Sequence, residues 1–313
     1  EIEQTKGKIE LWIPVPQSNE VQTISNINYD VAGFEYVLKE EKIHGNKYLY
    51  ISTQNGIDRP TTIAITFNVS RKEHRNEMYD KVNPDKYLGS YAMVPTGDMF
   101  RSIINKNNLL RTDIRGVYDF VLSGMHYGKP TSVDDKYYKE PWLNAEDLYG
   151  EKQVTRDDVV ELYETAENTN SDYTFGRGNS IYACDIGVGN CTDYHSYFMS
   201  LGRTLEIPVR FHMGFLIPEE ENGNISGYHC WADYYLDGEG WYPIDISEAD
   251  KVPKKADYFF GTVCNNRVDI MVGRDFLLDG YDNGKLNLFI YPILEIDDQI
   301  SSNYKKSFSY RNL

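Results

Sequence analysis

The sequence predicts an α+β protein that begins with a small β-sandwich. Within residues 1–75, short runs rich in Ile, Val, Thr and Tyr alternate with turn residues such as Asn55-Gly56, as in antiparallel sheets. After about residue 110 the apolar period lengthens to three and four residues, which is typical of amphipathic helices. A helix with a cysteine in its first turn and two later strand-like runs then follow. Strands and helices therefore occupy separate parts of the chain, as in α+β folds.

Three regions are predicted. Residues 1–75 form the sandwich, with strands at Lys8–Val15, Ile24–Val31, Tyr36–Glu40, Lys47–Ser52 and Thr61–Val69. Residues 76–108, which contain Pro84, Pro95 and Gly97, are interpreted as a linker. Residues 109–313 form the remaining domain, which ends in further strands, of which Leu286–Ile296 is the clearest.

Two helices are expected before the central part of the chain. Ile114, Val117, Tyr118 and Val121 recur at helical spacing. A second apolar group around residues 159–163 indicates another helix, and residues 173–180 are interpreted as a loop.

Charge and hydropathy limit the partners. The formal net charge of −16 weighs against nucleic acid and against anionic membrane surfaces. No apolar run approaches the roughly 18 residues needed to span a bilayer. Because the chain begins at Glu1 rather than at an initiator methionine, we expect an exported, periplasmic or extracellular protein whose leader has been removed.

Cys191 is the candidate nucleophile. It follows Gly187-Val188-Gly189 and Asn190, a residue that favours the N-cap position. Tyr194, Phe198, Leu201 and Leu205 then predict one apolar stripe along a helix. In the first turn, the helix dipole and unpaired amides favour a thiolate and a lowered pKa of the thiol, and they suit an oxyanion. The nearby Asp193 works against that lowering.

His229 and Asp245 are the candidate base and its orienting carboxylate. They lie in two strand-like runs joined by the turn Asp237–Gly240. Because side chains alternate between the faces of a strand, the two residues share a face only if the hairpin loop has three or five residues. With paired position numbers adding to 476, Asp245 lies opposite Trp231 and diagonal to His229, within side-chain reach.

These segments resemble the three blocks of the transglutaminase-like core, a papain-related superfamily whose blocks carry Cys, His and Asp in this order. The resemblance covers roughly residues 110–250. Its carriers are the segments NCTDYH at 190–195, YHCWAD at 228–233 and WYPID at 241–245. The resemblance implies a papain-like core in which the nucleophile helix packs on an antiparallel sheet.

The resemblance also implies acyl transfer through a thioester on amide bonds of peptides or proteins. Cys191 would attack the carbonyl carbon, His229 would move the proton, and Asp245 would orient the imidazole. The backbone N–H of Cys191 would supply half of the oxyanion hole, and Trp142 and Tyr182 are candidates for the second donor. Asn190, His195 and Trp231 are predicted to line the oxyanion site or to contact and position the catalytic residues. No metal and no other cofactor is predicted.

Several alternatives stay open. Hydrolysis is favoured over protein cross-linking because no lysine-binding device is evident. A non-catalytic binding protein that keeps the fold, or an amidase that removes glycans, would carry the same residues. His195 could be a second base but is interpreted as structural. A zinc site of Cys191, His195, His229 and Cys230 is disfavoured, because adjacent strand residues point to opposite faces.

Overall fold

The computed structural model describes residues 1–129 and 156–313. It is a mixed α+β structure, as predicted, and it divides into two compact units. Unit 1 comprises Glu1–Lys72, His212–His229 and Cys264–Leu313, and unit 2 comprises Glu73–Phe211 and Cys230–Val263. Within the described ranges no helix is long and apolar enough to cross a membrane. The exported location stays a prediction.

The described residues form helices and strands with the following bounds. The helices are α1 (Asp98–Lys106), α2 (Ile114–Gly124), α3 (Arg156–Thr169), α4 (Ser180–Ile186), α5 (Cys191–Thr204) and α6 (Ile246–Lys251). The strands are β1 (Ile9–Val15), β2 (Gln22–Asp30), β3 (Tyr36–Glu40), β4 (Lys47–Thr53), β5 (Ala64–Arg71), β6 (His126–Tyr127), β7 (Val188–Gly189), β8 (Val209–Leu216), β9 (Asn222–Asn224), β10 (His229–Leu236), β11 (Gly240–Ile244), β12 (Arg267–Val272), β13 (Ile293–Ile296), β14 (Gln299–Ser301) and β15 (Ser309–Arg311).

Unit 1 contains a five-stranded antiparallel sheet in the order β14-β13-β1-β4-β3. A separate antiparallel pair, β2–β5, has a bulge between Ser25 and Asn28. Both contribute to one apolar core, in which Leu11, Leu49 and Leu294 are fully buried and Tyr29 and Ile65 pack at the margin. All five strands predicted within residues 1–75 are therefore confirmed, and two layers enclose the core as in a sandwich.

The strand predicted at Leu286–Ile296 is wrong over most of its length. Only Ile293–Ile296 forms a strand, and it pairs with β1. Pro292 has no N–H to donate to a ladder, so the strand begins after it. Upstream, Asn287 is not part of a strand ladder: its side-chain and backbone oxygens accept hydrogen bonds from the buried Arg274 guanidinium.

The compact units do not follow the three predicted regions residue by residue. The strands after residue 264, assigned from sequence to the third region, lie in unit 1. The predicted linker 76–108 holds the helix α1, whose Phe100, Ile103 and Ile104 are buried. The boundaries at residues 75 and 108 stay a prediction about domains.

Helix α5 lies at the centre of unit 2, in contact with α1, α2, α4 and α6. The prediction of a single apolar stripe along α5 is wrong, because every residue of the helix is buried. Three of its hydroxyl side chains form hydrogen bonds within the helices. Ser196 donates to the Thr192 carbonyl at 2.7 Å, Thr204 to the Ser200 carbonyl at 2.6 Å, and Ser200 to the hydroxyl of Ser180 at 2.7 Å. Such i−4 bonds let a helix carry hydroxyls into a core.

The hairpin β10–β11 has the predicted register. Its pairs run from Ala232 with Ile244 to Leu236 with Gly240, so that paired positions add to 476. The loop is the three residues 237–239, which are joined to β11 through positive φ angles of 76° at Gly238 and 105° at Gly240. Residues without a Cβ adopt these angles without steric cost.

A buried ion pair joins β8 to β10 within unit 2. The Arg210 guanidinium donates from Nε to Asp233 Oδ1 at 3.0 Å and from Nη2 to Oδ2 at 2.5 Å. The same guanidinium stacks over the rings of Trp241, at 4.2 Å, and Tyr79, at 4.3 Å. Both charges are therefore removed from water and depend on each other.

Asp233→Ala is expected to lower the free energy of unfolding by about 3–5 kcal/mol, because it leaves a buried guanidinium without its carboxylate. The matched control is Asp119→Ala on α2, which removes an exposed partner of Arg115 and should cost less than about 1 kcal/mol. Urea denaturation of the three proteins measures both values. Equal losses in the two variants would contradict a structural role for the buried pair.

Candidate active site

Cys191 is the first residue of α5, as predicted, and a capping box holds the helix start. Asn190 Oδ1 accepts from the Thr192 amide at 2.9 Å, and Asp193 Oδ2 accepts from the Asn190 amide at 3.0 Å. The amides of Asp193 and Tyr194 turn back to the Asn190 carbonyl. Cys191 is only 3% exposed. Its side chain is thus buried at the positive end of a helix.

Asp193 fastens a second segment to this helix start. Besides the Asn190 amide, its carboxylate accepts from the amides of Gly176, at 2.8 Å, and Gly178, at 2.9 Å. Burial raises the pKa of Asp193 to about 7, against the pull of these three donors and in the same direction as the charge of Cys191. The sequence indicated only the repulsion between the two residues. The structure gives Asp193 a second role, which is to position the 176–178 loop.

His195 connects the nucleophile helix to the start of α6. Its Nδ1 lies 2.6 Å from the Cys191 carbonyl oxygen, and its Nε2 lies 3.1 Å from the amide of Ile246. Because an amide only donates, Nε2 is the acceptor, and the ring proton belongs on Nδ1, which donates to the carbonyl. One neutral imidazole therefore ties Cys191 to Ile246.

This geometry separates the two roles considered for His195. Its Nε2 lies 3.8 Å from Asp245 Oδ1, yet with the proton on Nδ1 no hydrogen bond joins them. Both ring nitrogens are already engaged with backbone groups, so taking a proton from the thiol would break one of those bonds. The contacts favour the structural interpretation over a second base.

Asp245 is buried at the N-cap of α6. Its Oδ1 accepts from the Ser247 hydroxyl at 2.8 Å and from the Glu248 amide at 2.9 Å. Its own amide donates to the Phe259 carbonyl. These bonds fix the carboxylate, and both capping hydrogen bonds are accepted by Oδ1.

Lys251 is a neighbour that the sequence did not single out. Burial lowers its pKa, but Glu248, at 2.8 Å, and then Cys191 and Asp245 outweigh burial, so the net shift is upwards. The ammonium also lies 4.0 Å from the centre of the Tyr127 ring. It supplies a positive charge near the thiol and the carboxylate, which favours a thiolate. Lys251 is far from Cys191 in the sequence, and the packing of α6 against α5 brings the two residues near each other.

The remaining predicted residues are distributed as follows. His229 is the buried first residue of β10, at the end of a segment of unit 1, and Trp231 is buried two positions later. Tyr182 packs edge-on against Tyr173 in an apolar cluster, and among the described residues its hydroxyl has no hydrogen-bond partner. Trp142 lies outside the described residues.

Unit 1 contains a buried imidazole–carboxylate pair that sequence reasoning missed. His212 Nδ1 lies 2.8 Å from Asp269 Oδ2, and the backbone of Asp269 is held by both ends of the Gln22 amide group. The signal available was weak, because β8 and β12 each hold two polar residues among apolar ones: Arg210 and His212 in β8, and Arg267 and Asp269 in β12. Only the pairing of His212 with Val272 and of Asp269 with Gly214 brings the two together.

Comparison with known proteins places these residues in context. Residues 143–246 match the model of the transglutaminase-like superfamily. An uncharacterized protein of Haemophilus influenzae is 25% identical over 343 aligned positions, which cover 98% of this chain and 86% of the relative. A solved structure of a proposed cysteine protease from Cytophaga hutchinsonii shares 13% identity and a TM-score of 0.52, over 98% of this chain and 86% of that one. The latter likeness concerns the fold.

Removal of the His195 ring is expected to destabilise the protein more than its replacement by an amide. His195→Ala leaves the Cys191 carbonyl and the Ile246 amide buried without this partner, at a cost of about 2–4 kcal/mol in the free energy of unfolding. Glutamine offers both an N–H donor and an oxygen acceptor, so His195→Gln should recover at least about half of that loss. Chemical denaturation measures both. Equal stability of the alanine variant and the wild type would contradict the bridging role.

The pKa of Asp193 predicts a pH dependence of stability. Its folded value of about 7 exceeds the ordinary 3.8, so the stability it contributes is complete below pH 3.8 and is lost as the pH rises to 7. The free energy of unfolding of the wild type should fall relative to Asp193→Asn across this window, by at most about 1.4 kcal/mol per pH unit. A difference that grows with pH would show that the three amide donors outweigh burial.

Proposed function

Because the chain carries a transglutaminase-like core, we propose that it is a cysteine hydrolase that cleaves amide bonds of peptides or proteins through a thioester on Cys191. The observation that carries the proposal is the helix start: Cys191 opens the capped helix α5, and His195 ties its carbonyl to the peptide that follows Asp245. Two of the three proposed catalytic residues are thus held by one imidazole.

The proposed reaction has two halves. Cys191 Sγ attacks the carbonyl carbon while its proton passes to His229; the C–N bond then breaks, the amine leaves with that proton, and a thioester remains. Water, deprotonated by His229, attacks the thioester and releases the acid and the thiol. Asp245 would hold the imidazole of His229 in the required tautomer.

The hairpin geometry supports this assignment of base and carboxylate. In the observed register, side chains at positions 229 and 245 belong to the same face of the hairpin. The three-residue loop is one of the two loop lengths that give this arrangement. Asp245 uses Oδ1 for its helix cap, so Oδ2 is the oxygen we assign to the imidazole.

The oxyanion would be stabilised by the amide of Cys191. The amides of Thr192, Asp193 and Tyr194 are directed to Asn190 by the cap, and the amide of Cys191 itself is the nearest one to Sγ. A donor at this place commonly contributes about 10²–10³ in rate. Tyr182 is retained as a candidate second donor, because its buried hydroxyl has no partner in the part of the chain that is described.

One observation favours a different class of function. Cys191 is 3% exposed, and buried cysteines are often inert. A binding protein that keeps the fold would accept such burial. Against this, the groups around the helix start are polar or charged, including Asp193, His195 and Lys251, which is the setting of reactive thiols rather than of apolar cores.

Substitution of the three proposed residues should give graded losses in kcat/KM for a peptide amide. Cys191→Ala should lower it by about 10⁶-fold, His229→Ala nearly as much, and Asp245→Asn by about 10⁴-fold. Asparagine is chosen at 245 because it preserves the helix cap. His212→Ala is the matched control, a buried histidine outside the proposed triad. A larger loss for His212→Ala than for His229→Ala would reassign the base.

Thiol chemistry tests the enzyme against the binding protein. Iodoacetamide at about pH 6 should alkylate Cys191 faster than free cysteine, because a thiolate is favoured at the helix start; mass spectrometry with Cys191→Ala as the blank locates the label. Alkylation no faster than that of free cysteine would support the non-catalytic alternative.

Hydrolysis and cross-linking share the thioester and differ in what resolves it. With a peptide amide and a labelled primary amine, the wild type should release acid with little label in the product. Label incorporated as the main product would identify a transferase, and Cys191→Ala should yield neither product.

A further inference from the structure

The outer edge of β3 is an exposed apolar strand. Strand β3 ends the five-stranded sheet, and among the described strands it pairs only with β4. Tyr36, Val37 and Leu38 are 43%, 55% and 43% exposed, although the remainder of unit 1 buries most such residues. Exposed apolar edges are uncommon in soluble proteins because they attract further strands.

The hydrogen-bond pattern shows which backbone groups point outwards. The amide of Glu41 donates to the Asn46 carbonyl at 2.7 Å, so these two form a hydrogen-bonded pair. Because hydrogen-bonded pairs alternate with other pairs along an antiparallel ladder, the N–H and C=O groups of Lys39 and Val37 also point towards β4. The N–H and C=O groups of Tyr36, Leu38 and Glu40 therefore point away from the sheet.

The sequence of this edge is complementary to itself. If a second copy of β3 lies antiparallel with Val37 on the two-fold axis, Tyr36 of each copy stands opposite Leu38 of the other. Both residues have outward-pointing backbone groups, so these pairs close four hydrogen bonds. Glu35 of each copy then stands opposite Lys39 of the other, which adds two pairs of opposite charge.

Displaced registers lose this match. With the axis through Leu38, Lys39 of each copy stands opposite Val37 of the other, so both Glu35–Lys39 charge pairs are lost. The axis through Val37 also places Lys39 of the second copy beside an open depression of about 460 Å³. Its lining comes from Phe34, Glu35, Tyr36, Val37, Tyr50 and Ser52.

From this complementarity we propose that β3 is a docking edge for a second copy of this chain, which forms a two-fold dimer with a continuous ten-stranded sheet. The interface is isologous, so it closes after two copies. Its short ladder and the net charge of −16 oppose tight association, and a dissociation constant on the order of micromolar is expected. The proposal is independent of the catalytic assignment.

Charge exchange tests the register. Glu35→Lys brings a lysine of one copy opposite Lys39 of the other, and Lys39→Glu brings two glutamates together, so each variant should be mainly monomeric where the wild type dimerises. In a mixture of the two variants, both charge pairs become attractive again and a one-to-one heterodimer should form. Sedimentation equilibrium of the full chain at several concentrations measures this, and unchanged unfolding curves show that the substitutions spare the fold.

Disulfide formation tests the axis directly. Val37→Cys brings two thiols together in a pair that is not hydrogen-bonded, close enough for a disulfide, so mild oxidation should yield a covalent dimer on a non-reducing gel. Leu38→Cys is the matched control, because its copies are displaced from each other along the strands and should not cross-link. A wild type that stays monomeric at hundreds of micromolar, or single charge variants that dimerise like the wild type, would overturn the proposal.

Discussion

The arrangement of the candidate site depends on one neutral imidazole. His195 donates to the carbonyl of Cys191 and accepts from the amide of Ile246, and thereby fixes the start of α5 against the start of α6. Each helix start carries one proposed catalytic residue: Cys191 as the first residue of α5, and Asp245 as the N-cap of α6. Because both starts are also held by side-chain caps, neither can shift by a fraction of a turn without losing several buried hydrogen bonds at once. Packing of apolar side chains alone would tolerate such a shift more readily, since dispersion contacts have little directionality.

The burial of α5 on every side explains why three of its hydroxyl groups are bonded within the helices. A helix enclosed by α1, α2, α4 and α6 leaves its hydroxyls no water, so Ser196 and Thr204 return to carbonyls four residues back. Cys191 lies at the capped N-terminus of this helix. The position of Cys191 there follows from the physics of the helix end, where amides lack intrahelical acceptors, and not from a general exposure of the helix.

Local features of this structure could be predicted from the sequence, and long-range ones could not. The five N-terminal strands, the Asn190 cap and the three-residue hairpin loop are set by residues near one another in the chain, through alternation, capping preference and the paired glycines of the turn. The pairing of β13 with β1, the role of Pro292 in shortening that strand, and the His212–Asp269 pair depend on contacts across the whole chain. His195 lies between these cases. Its helical spacing from Cys191 was visible, but its second partner, the amide of Ile246, belongs to a segment far along the chain, so the sequence could not decide between base and bridge.

Asp193 and Lys251 show how the electrostatics of the helix start are balanced. A carboxylate two residues after a nucleophilic thiol opposes the thiolate, yet this one also holds the amides of Gly176, Gly178 and Asn190. Burial raises its pKa to about 7, so near neutral pH it is partly protonated and repels a thiolate less than a fully ionised carboxylate would. The Lys251 ammonium adds a charge of the opposite sign within range of Cys191. The fold thus keeps the acidic side chain that the loop requires while reducing its cost to the thiolate.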